Sequence, residues 1–171
     1  TSVWNYIACL DFCQCFVYCQ AGRVLNQVKF EMEVGMSSMK LWQTYGVSLA
    51  AFLALDFLWL GLIARGVYRD QLGPLLTPDV RWGAAILFYL IFVAGVLVFA
   101  VLPAVDRGSL GRALLLGGFL GVVTYAAYDL TNLATLRDFP ATVAAVDMVW
   151  GGVLTATVAA VGYLFASRGT P

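Results

Sequence analysis

The sequence predicts an all-α fold, a polytopic membrane protein built as a bundle of four transmembrane helices. Apolar residues make up 61% of the 171 residues and charged residues 12%, whereas a soluble domain carries about 25% charged residues. The mean hydropathy is +0.85. Polar side chains are therefore too few to cover a globule, and lipid must cover much of the surface. The apolar residues are also concentrated in four long stretches.

We call these stretches spans 1 to 4, and the predicted bounds are residues 41–64, 82–101, 110–136 and 140–166. Each has about 20–26 residues, enough to cross the ~30 Å hydrocarbon core of a bilayer. Span 1 ends before Arg65 and span 3 before Arg137. Pro103 is expected to end span 2, because proline disrupts a helix interior, and Pro140 suits the first turn of span 4. Basic residues are divided equally between the two faces, so the positive-inside rule leaves the orientation open.

The first 38 residues differ in kind from the rest of the chain. They contain both glutamates and all four cysteines, which are Cys9, Cys13, Cys15 and Cys19. The cysteine spacing matches no metal site, and we interpret the thiols as incidental. We expect residues 1–38 to be an extraneous or poorly structured extension and residues 39–171 to form the four-helix transmembrane domain. The alternative is a fifth, short membrane segment over residues 3–19.

Three aspartates lie inside the spans: Asp56, Asp129 and Asp147. In the four-span threading each lies about seven to nine residues from the same membrane face, which is ~10–13 Å deep. Span 2 has no acid, but its Tyr89 is predicted at the same depth. A carboxylate in hydrocarbon costs several kcal/mol unless it faces the protein interior, has a partner or takes up a proton. We expect at least one of the three to be protonated and to donate a hydrogen bond to another aspartate or to Asn132.

Other polar side chains share helix faces with these acids. Tyr125, Asp129 and Asn132 recur at i, i+4 and i+7 on span 3, and each of the other two aspartates has a tryptophan at i+3. Gly117 and Gly121 form a small-xxx-small edge that lets a neighbouring helix approach closely. The predicted ligand-binding or proton site consists of Asp56, Trp59, Tyr89, Tyr125, Tyr128, Asp129, Asn132, Asp147 and Trp150. The alternative is that the three acids only hold the helices together through hydrogen bonds.

Three segments give the chain a family resemblance: L-A-L-D-F-L-W-L-G at 53–61, Y-D-L-T-N-L-A-T-L at 128–136 and V-D-M-V-W-G at 146–151. They resemble the bacterial DUF2177 proteins, which are small four-span membrane proteins. The likeness covers about residues 39–166, and the middle segment is its most specific motif. The resemblance implies the four-span fold and favours the aspartates of these motifs as site residues. It implies no reaction.

Composition excludes several classes of function. Histidine is absent, which removes His-based metal sites, haem ligation by His and His-dependent catalytic triads. We expect no metal and no cofactor. The net charge is zero and there is no basic cluster, so no nucleic-acid partner is expected. The expected partners are membrane lipids and, since four helices leave little room for a pore, a homo-oligomer or a membrane-complex partner. The expected location is the cell membrane, as a multi-pass protein of the bacterial inner membrane.

Three functional hypotheses remain open from the sequence. In the first, the acidic layer binds or transports a small ligand, a cation or a proton, as intramembrane carboxylates commonly do. In the second, the protein is a membrane-embedded enzyme acting on a lipid or isoprenoid, with paired carboxyls as general acid and base. In the third, it is an accessory or assembly subunit of a membrane complex, and the polar layer serves packing alone. Whether the protein is an enzyme is undecided at this point.

Overall fold

The computed structural model describes residues 36–63 and 81–168. Every regular element within them is helical, and four helices are long and apolar enough to cross a membrane. The predicted all-α fold with four spans is therefore confirmed. Residues 1–35 lie outside the described residues. They make up most of the expected N-terminal extension over residues 1–38, and they include its four cysteines and the alternative membrane segment at residues 3–19.

The helices follow one another in the predicted order. Span 1 is the α-helix Ser38–Leu58 followed by a π-helical turn at Trp59–Ile63. Span 2 consists of the α-helix Trp82–Val96, a π-helical turn at Leu97–Val101 and the α-helix Leu102–Asp106. Span 3 is the α-helix Leu110–Thr135, and span 4 is the α-helix Ala141–Ser167.

The expectation that Pro103 ends span 2 is wrong. The helix continues through Pro103 as far as Asp106. A proline removes one backbone N–H and crowds the carbonyl of the preceding turn. Here the preceding turn, Leu97–Val101, is π-helical. A wider turn relieves that crowding, so the proline sits in the first turn of the helix that follows.

Spans 2 and 3 are joined by a tight turn that the sequence supports locally. Gly108 has a φ of 57°, a conformation that glycine adopts without steric cost. The Ser109 side chain then accepts a hydrogen bond from the backbone N–H of Arg112 at 3.3 Å. This N-cap satisfies one of the free donors at the start of span 3. The turn therefore fixes where span 3 begins.

The packed interior lies where spans 2 and 4 meet the other two spans. Its fully buried apolar side chains include Phe52, Val93, Val96, Val101, Leu154 and Val158. The outer faces are also apolar, and Leu115 and Phe119 on span 3 are 76% and 72% exposed. Exposed residues of this size in long apolar helices are typical of surfaces that face lipid.

Spans 3 and 4 approach each other closely through small residues. A Cβ atom added to Gly117 would lie 2.7 Å from the Ala159 Cβ atom and 2.8 Å from the carbonyl oxygen of Thr155. A Cβ atom added to Gly121 would overlap the carbonyl oxygen of Gly151. The predicted small-xxx-small edge on span 3 is confirmed, and it determines the spacing of the two spans.

Span 1 is held mainly by side chains rather than by close backbone approach. Near one end, the Lys40 ammonium group donates to the carbonyl oxygen of Arg168 at 3.1 Å. Closer to the middle, the Tyr45 hydroxyl donates to the carbonyl oxygen of Leu90 at 3.0 Å. Phe52 packs against Phe92 with the ring centroids 5.3 Å apart. These contacts set the register of span 1 against spans 2 and 4.

Candidate functional site

Asp56 of span 1 and Tyr89 of span 2 form a direct hydrogen bond. The Tyr89 hydroxyl donates to the Asp56 carboxylate oxygen Oδ2 at 2.9 Å, and Asp56 is only 8% exposed. Phe52, one turn earlier on span 1, packs against the Tyr89 ring with the centroids 5.5 Å apart. The carboxylate and the phenol, which the sequence placed at one depth, are therefore in contact. This bond satisfies one oxygen of the carboxylate inside the apolar part of the bundle.

Two tryptophans join spans 1 and 4 at the same level. The rings of Trp59 and Trp150 are stacked, with centroids 4.3 Å apart and an interplanar angle of 8°. Each tryptophan lies one helical turn after an aspartate, Trp59 after Asp56 and Trp150 after Asp147. Neither indole N–H has a hydrogen-bond partner among the described residues.

A cavity of about 320 Å³ lies among the other predicted site residues. Among the described residues its wall comes from spans 2, 3 and 4 and includes Phe88, Thr124, Tyr125, Tyr128, Asp129 and Asp147. The Thr124 hydroxyl donates to the carbonyl oxygen of Leu120 at 2.7 Å, one turn earlier on its own helix. Among the described residues, two carboxyl groups and two phenols are therefore the polar groups of an otherwise apolar wall.

The carboxyl groups on this wall lack protein partners. Asp129 is completely buried, and neither of its carboxylate oxygens has a hydrogen-bond partner among the described residues. Asp147 is 8% exposed, and its Oδ1 atom is likewise buried without a partner there. Buried polar atoms are nearly always hydrogen-bonded. Three unsatisfied carboxylate oxygens at one cavity are therefore the feature of this bundle that most needs explanation.

Tyr125 of span 3 lines the cavity and packs against span 4. Its phenol shares the cavity wall with Asp129, one helical turn further along span 3. The ring is held from behind by Gly151 of span 4, where an added Cβ atom would overlap ring atoms of Tyr125. The close approach of spans 3 and 4 therefore positions a cavity side chain as well as the two backbones.

A family model described as a predicted membrane protein, DUF2177, matches residues 41–164. The chain belongs to the DUF2177 family. The matched region contains all nine residues of the predicted site. No curated protein and no solved structure matched the chain. The family description states that its members are predicted membrane proteins, in agreement with the four spans, and it specifies no ligand, reaction or partner.

The structure of this DUF2177 protein distributes the predicted site residues unequally. Asp56, Trp59, Tyr89 and Trp150 make the contacts between span 1 and its neighbours, whereas Tyr125, Tyr128, Asp129 and Asp147 line the cavity. Asn132 is half-buried and is not part of the cavity wall. No group of three or more acidic side chains with metal-binding geometry occurs in the described part of the chain.

The expected hydrogen bond from one aspartate to another, or to Asn132, is absent among the described residues. Asp56 accepts from Tyr89 instead, and the oxygens of Asp129 have no partner there. The described residues therefore provide no partner for the Asp129 carboxyl group.

Sequence reasoning missed two wall residues, Phe88 and Thr124. Thr124 precedes Tyr128 by one helical turn, so the spacing that selected the polar stripe on span 3 could also have found it. Phe88 stands in a continuous apolar run and has no distinguishing signal in the sequence. It also missed the Trp59–Trp150 stack, although both tryptophans were predicted site residues.

Proposed function

We propose that this protein binds or transports a small ligand, and that its site is the cavity bounded by Tyr125, Tyr128, Asp129 and Asp147. The observation that supports this most strongly is Asp129, which is fully buried at the cavity with both carboxylate oxygens unpartnered. An intramembrane acid is costly, and such acids commonly belong to substrate, ion or proton pathways.

The unpartnered oxygens explain why occupancy would be favourable. Leaving a buried acceptor unsatisfied costs about 1–3 kcal/mol, and more when the group is charged. A ligand that donates hydrogen bonds or carries positive charge, or a proton, removes that cost when it arrives at Asp129. The bundle therefore holds a pre-formed site, because spans 3 and 4 keep the acids and Tyr125 in place before any ligand is present.

The size and wall of the cavity support a small ligand with an apolar part. Ligand pockets usually occupy roughly 300–1,000 Å³, and their walls are mostly apolar with a few polar groups that fix orientation. The cavity here, at about 320 Å³, is at the lower end of that range. It suits a small molecule, or the head and first atoms of a larger one.

Detergent-free bilayer discs containing the purified protein would test the proposal. Small molecules retained by wild type, Asp129→Asn and Asp138→Asn would be released and measured by mass spectrometry. Asp138 is an exposed loop residue with a φ of 61°, and asparagine adopts this conformation readily. Asp138→Asn is therefore a matched control for the chemical change.

We expect wild type and Asp138→Asn to retain the same molecule and Asp129→Asn to lose it while remaining folded. Identical retention by all three proteins would contradict the proposal. A comparison of host lipids with and without the gene separates binding from catalysis, since a changed lipid species would favour the enzyme hypothesis over this one.

We further propose a multi-pass location in a bacterial inner membrane, with membrane lipids and further copies of the chain as partners. Outer-membrane proteins of bacteria are typically β-barrels, whereas the spans of this protein are helical. A four-helix monomer has little room for a continuous pore, so transport would favour a homo-oligomer or a membrane-complex partner.

A further inference from the structure

We propose that the cavity binds a hydrophobic organic cation, which reaches it sideways from the bilayer between spans 2 and 3. This inference rests on the proposed function and specifies the chemical class of the ligand. It is derived from three features of the cavity: the charge of its polar groups, the aromatic residues on its wall and the exposure of two of those residues.

The charge balance of the cavity favours a cation. Asp129 and Asp147 place two carboxyl groups on its wall. The basic side chains of the described residues lie near the ends of the spans, at Lys40, Arg81, Arg107, Arg112, Arg137 and Arg168. The ion pair recorded there joins Arg107 to Asp106 outside the cavity, at 3.5 Å. A positively charged ligand would supply the counter-charge that the described residues do not provide at this depth.

The aromatic residues on the wall suit the same class of ligand. Phe88, Tyr125 and Tyr128 contribute three aromatic rings to a cavity of about 320 Å³. The face of an aromatic ring attracts a cation within roughly 6 Å of its centroid, and groups of such rings are a common way to recognise alkylated ammonium. An anionic or a neutral polar ligand would gain no comparable attraction from three aromatic rings beside two carboxyl groups.

We infer the mouth of the cavity from the two wall residues that are exposed, one on span 2 and one on span 3. Phe88 on span 2 is 45% exposed and Tyr128 on span 3 is 65% exposed, although both line the cavity. Both residues are inside helices long enough to cross the membrane, so their exposed sides face the bilayer. A cationic head can occupy the cavity while an alkyl tail stays among the lipid chains.

The experiment measures binding of radiolabelled dodecyltrimethylammonium to the protein in bilayer discs, with empty discs as background. Competitors are unlabelled dodecylammonium, neutral dodecanol and tetramethylammonium. The proteins are wild type, Asp129→Asn, Phe88→Leu and the control Asp138→Asn. Circular dichroism and gel filtration establish that each variant is folded.

We expect saturable binding to wild type and Asp138→Asn. Asp129→Asn should weaken it at least about tenfold, because a desolvated charge pair is lost. Phe88→Leu should weaken it about three- to tenfold, because one cation–π contact is lost. Phe88 is partly exposed and leucine is apolar, so this variant tests the site even if Asp129→Asn fails to fold. Dodecylammonium should compete, and dodecanol should not.

Each alternative result tests a different part of the inference: the charge of the ligand, its access from the bilayer, or the binding itself. Saturable binding that dodecanol displaces as well as dodecylammonium does would overturn the cationic assignment and leave the proposed function standing. Tetramethylammonium that binds while the dodecyl compound is refused would show that the cavity is closed to the bilayer. No saturable binding of any of these cations would overturn the inference, and the retention of another molecule by wild type, lost in Asp129→Asn, would still support the proposed function.

Discussion

Replacing Gly121 by alanine tests whether close contact between spans 3 and 4 determines the architecture of the site. An added Cβ atom would overlap the carbonyl oxygen of Gly151 and lie 2.6 Å from the Thr155 Oγ1 atom. One of these neighbours belongs to the backbone, so the two helices must move apart. Overpacking of this kind costs typically about 1–3 kcal/mol.

Gly46→Ala is the matched control for this substitution. Gly46 lies in span 1, is exposed, and has no atom within 4 Å of an added Cβ atom. Both substitutions gain the same intrinsic helix propensity, which is about 0.5–1 kcal/mol in water. The difference between the two variants therefore isolates the strain at Gly121, and we expect Gly121→Ala to be less stable than Gly46→Ala by about 1–3 kcal/mol.

The measurement is reversible unfolding by sodium dodecyl sulfate in mixed micelles, followed by far-ultraviolet circular dichroism. Equal free energies of unfolding for Gly121→Ala and Gly46→Ala would refute the reasoning, because the strain would then be absent. The same preparation of Gly121→Ala should also bind the cavity ligand more weakly, since Tyr125 is held by Gly151 directly opposite.

Three further substitutions probe single contacts, two at the candidate site and one at the start of span 3, and each is measured in the same unfolding assay. Tyr89→Phe removes the hydrogen bond to Asp56 and should cost about 1 kcal/mol, the usual size of an interhelical hydrogen bond in a membrane; no loss would mean that Asp56 finds another donor. Trp59→Leu removes the stack on Trp150 and should cost at least about 0.5–1.5 kcal/mol, a prediction that an unchanged midpoint would contradict. Ser109→Ala removes the N-cap of span 3 and should cost about 1 kcal/mol, whereas Ser109→Asp should retain most of it.

The depth of the polar residues could be predicted from the sequence, because it depends only on counting along regular helices. The rise of ~1.5 Å per residue placed Asp56 and Tyr89 at one level, and the two side chains are in contact. The same counting placed Asp129 and Asp147 at one depth in the membrane, and both residues line one cavity. Depth is a one-dimensional quantity that helical geometry determines.

The rotation of each helix could not be predicted in the same way. In water, an apolar stripe shows which face of a helix is buried, but helices in lipid are apolar on all sides. Nothing in the sequence therefore indicated that Trp59 and Trp150 would face each other, or that Phe88 would turn towards a cavity. The glycine edge on span 3 was the exception, because small residues mark a contact face even in lipid.

The continuation of span 2 through Pro103 was missed for a related reason. A proline in the sequence indicates that a regular α-helix is interrupted. It does not indicate whether the chain leaves the helix or continues as a helix after one wider turn. Here the chain forms a π-helical turn at Leu97–Val101 and then continues as an α-helix. That choice depends on burial of the following turn, where Leu102 and Ala104 are both buried against the bundle.

The two ways in which the spans are joined give the site a rigid side and an adjustable side. Spans 3 and 4 meet backbone to backbone at Gly121 and Gly151, and the Tyr125 ring packs directly against Gly151. Span 1 is attached mainly through side chains, and side chains can change rotamer while helices stay in place. Asp147 lines the cavity, and Asp56 belongs to the adjustable side. If a ligand occupies the cavity, we expect the side chains of span 1 to adjust while the contact between spans 3 and 4 stays fixed.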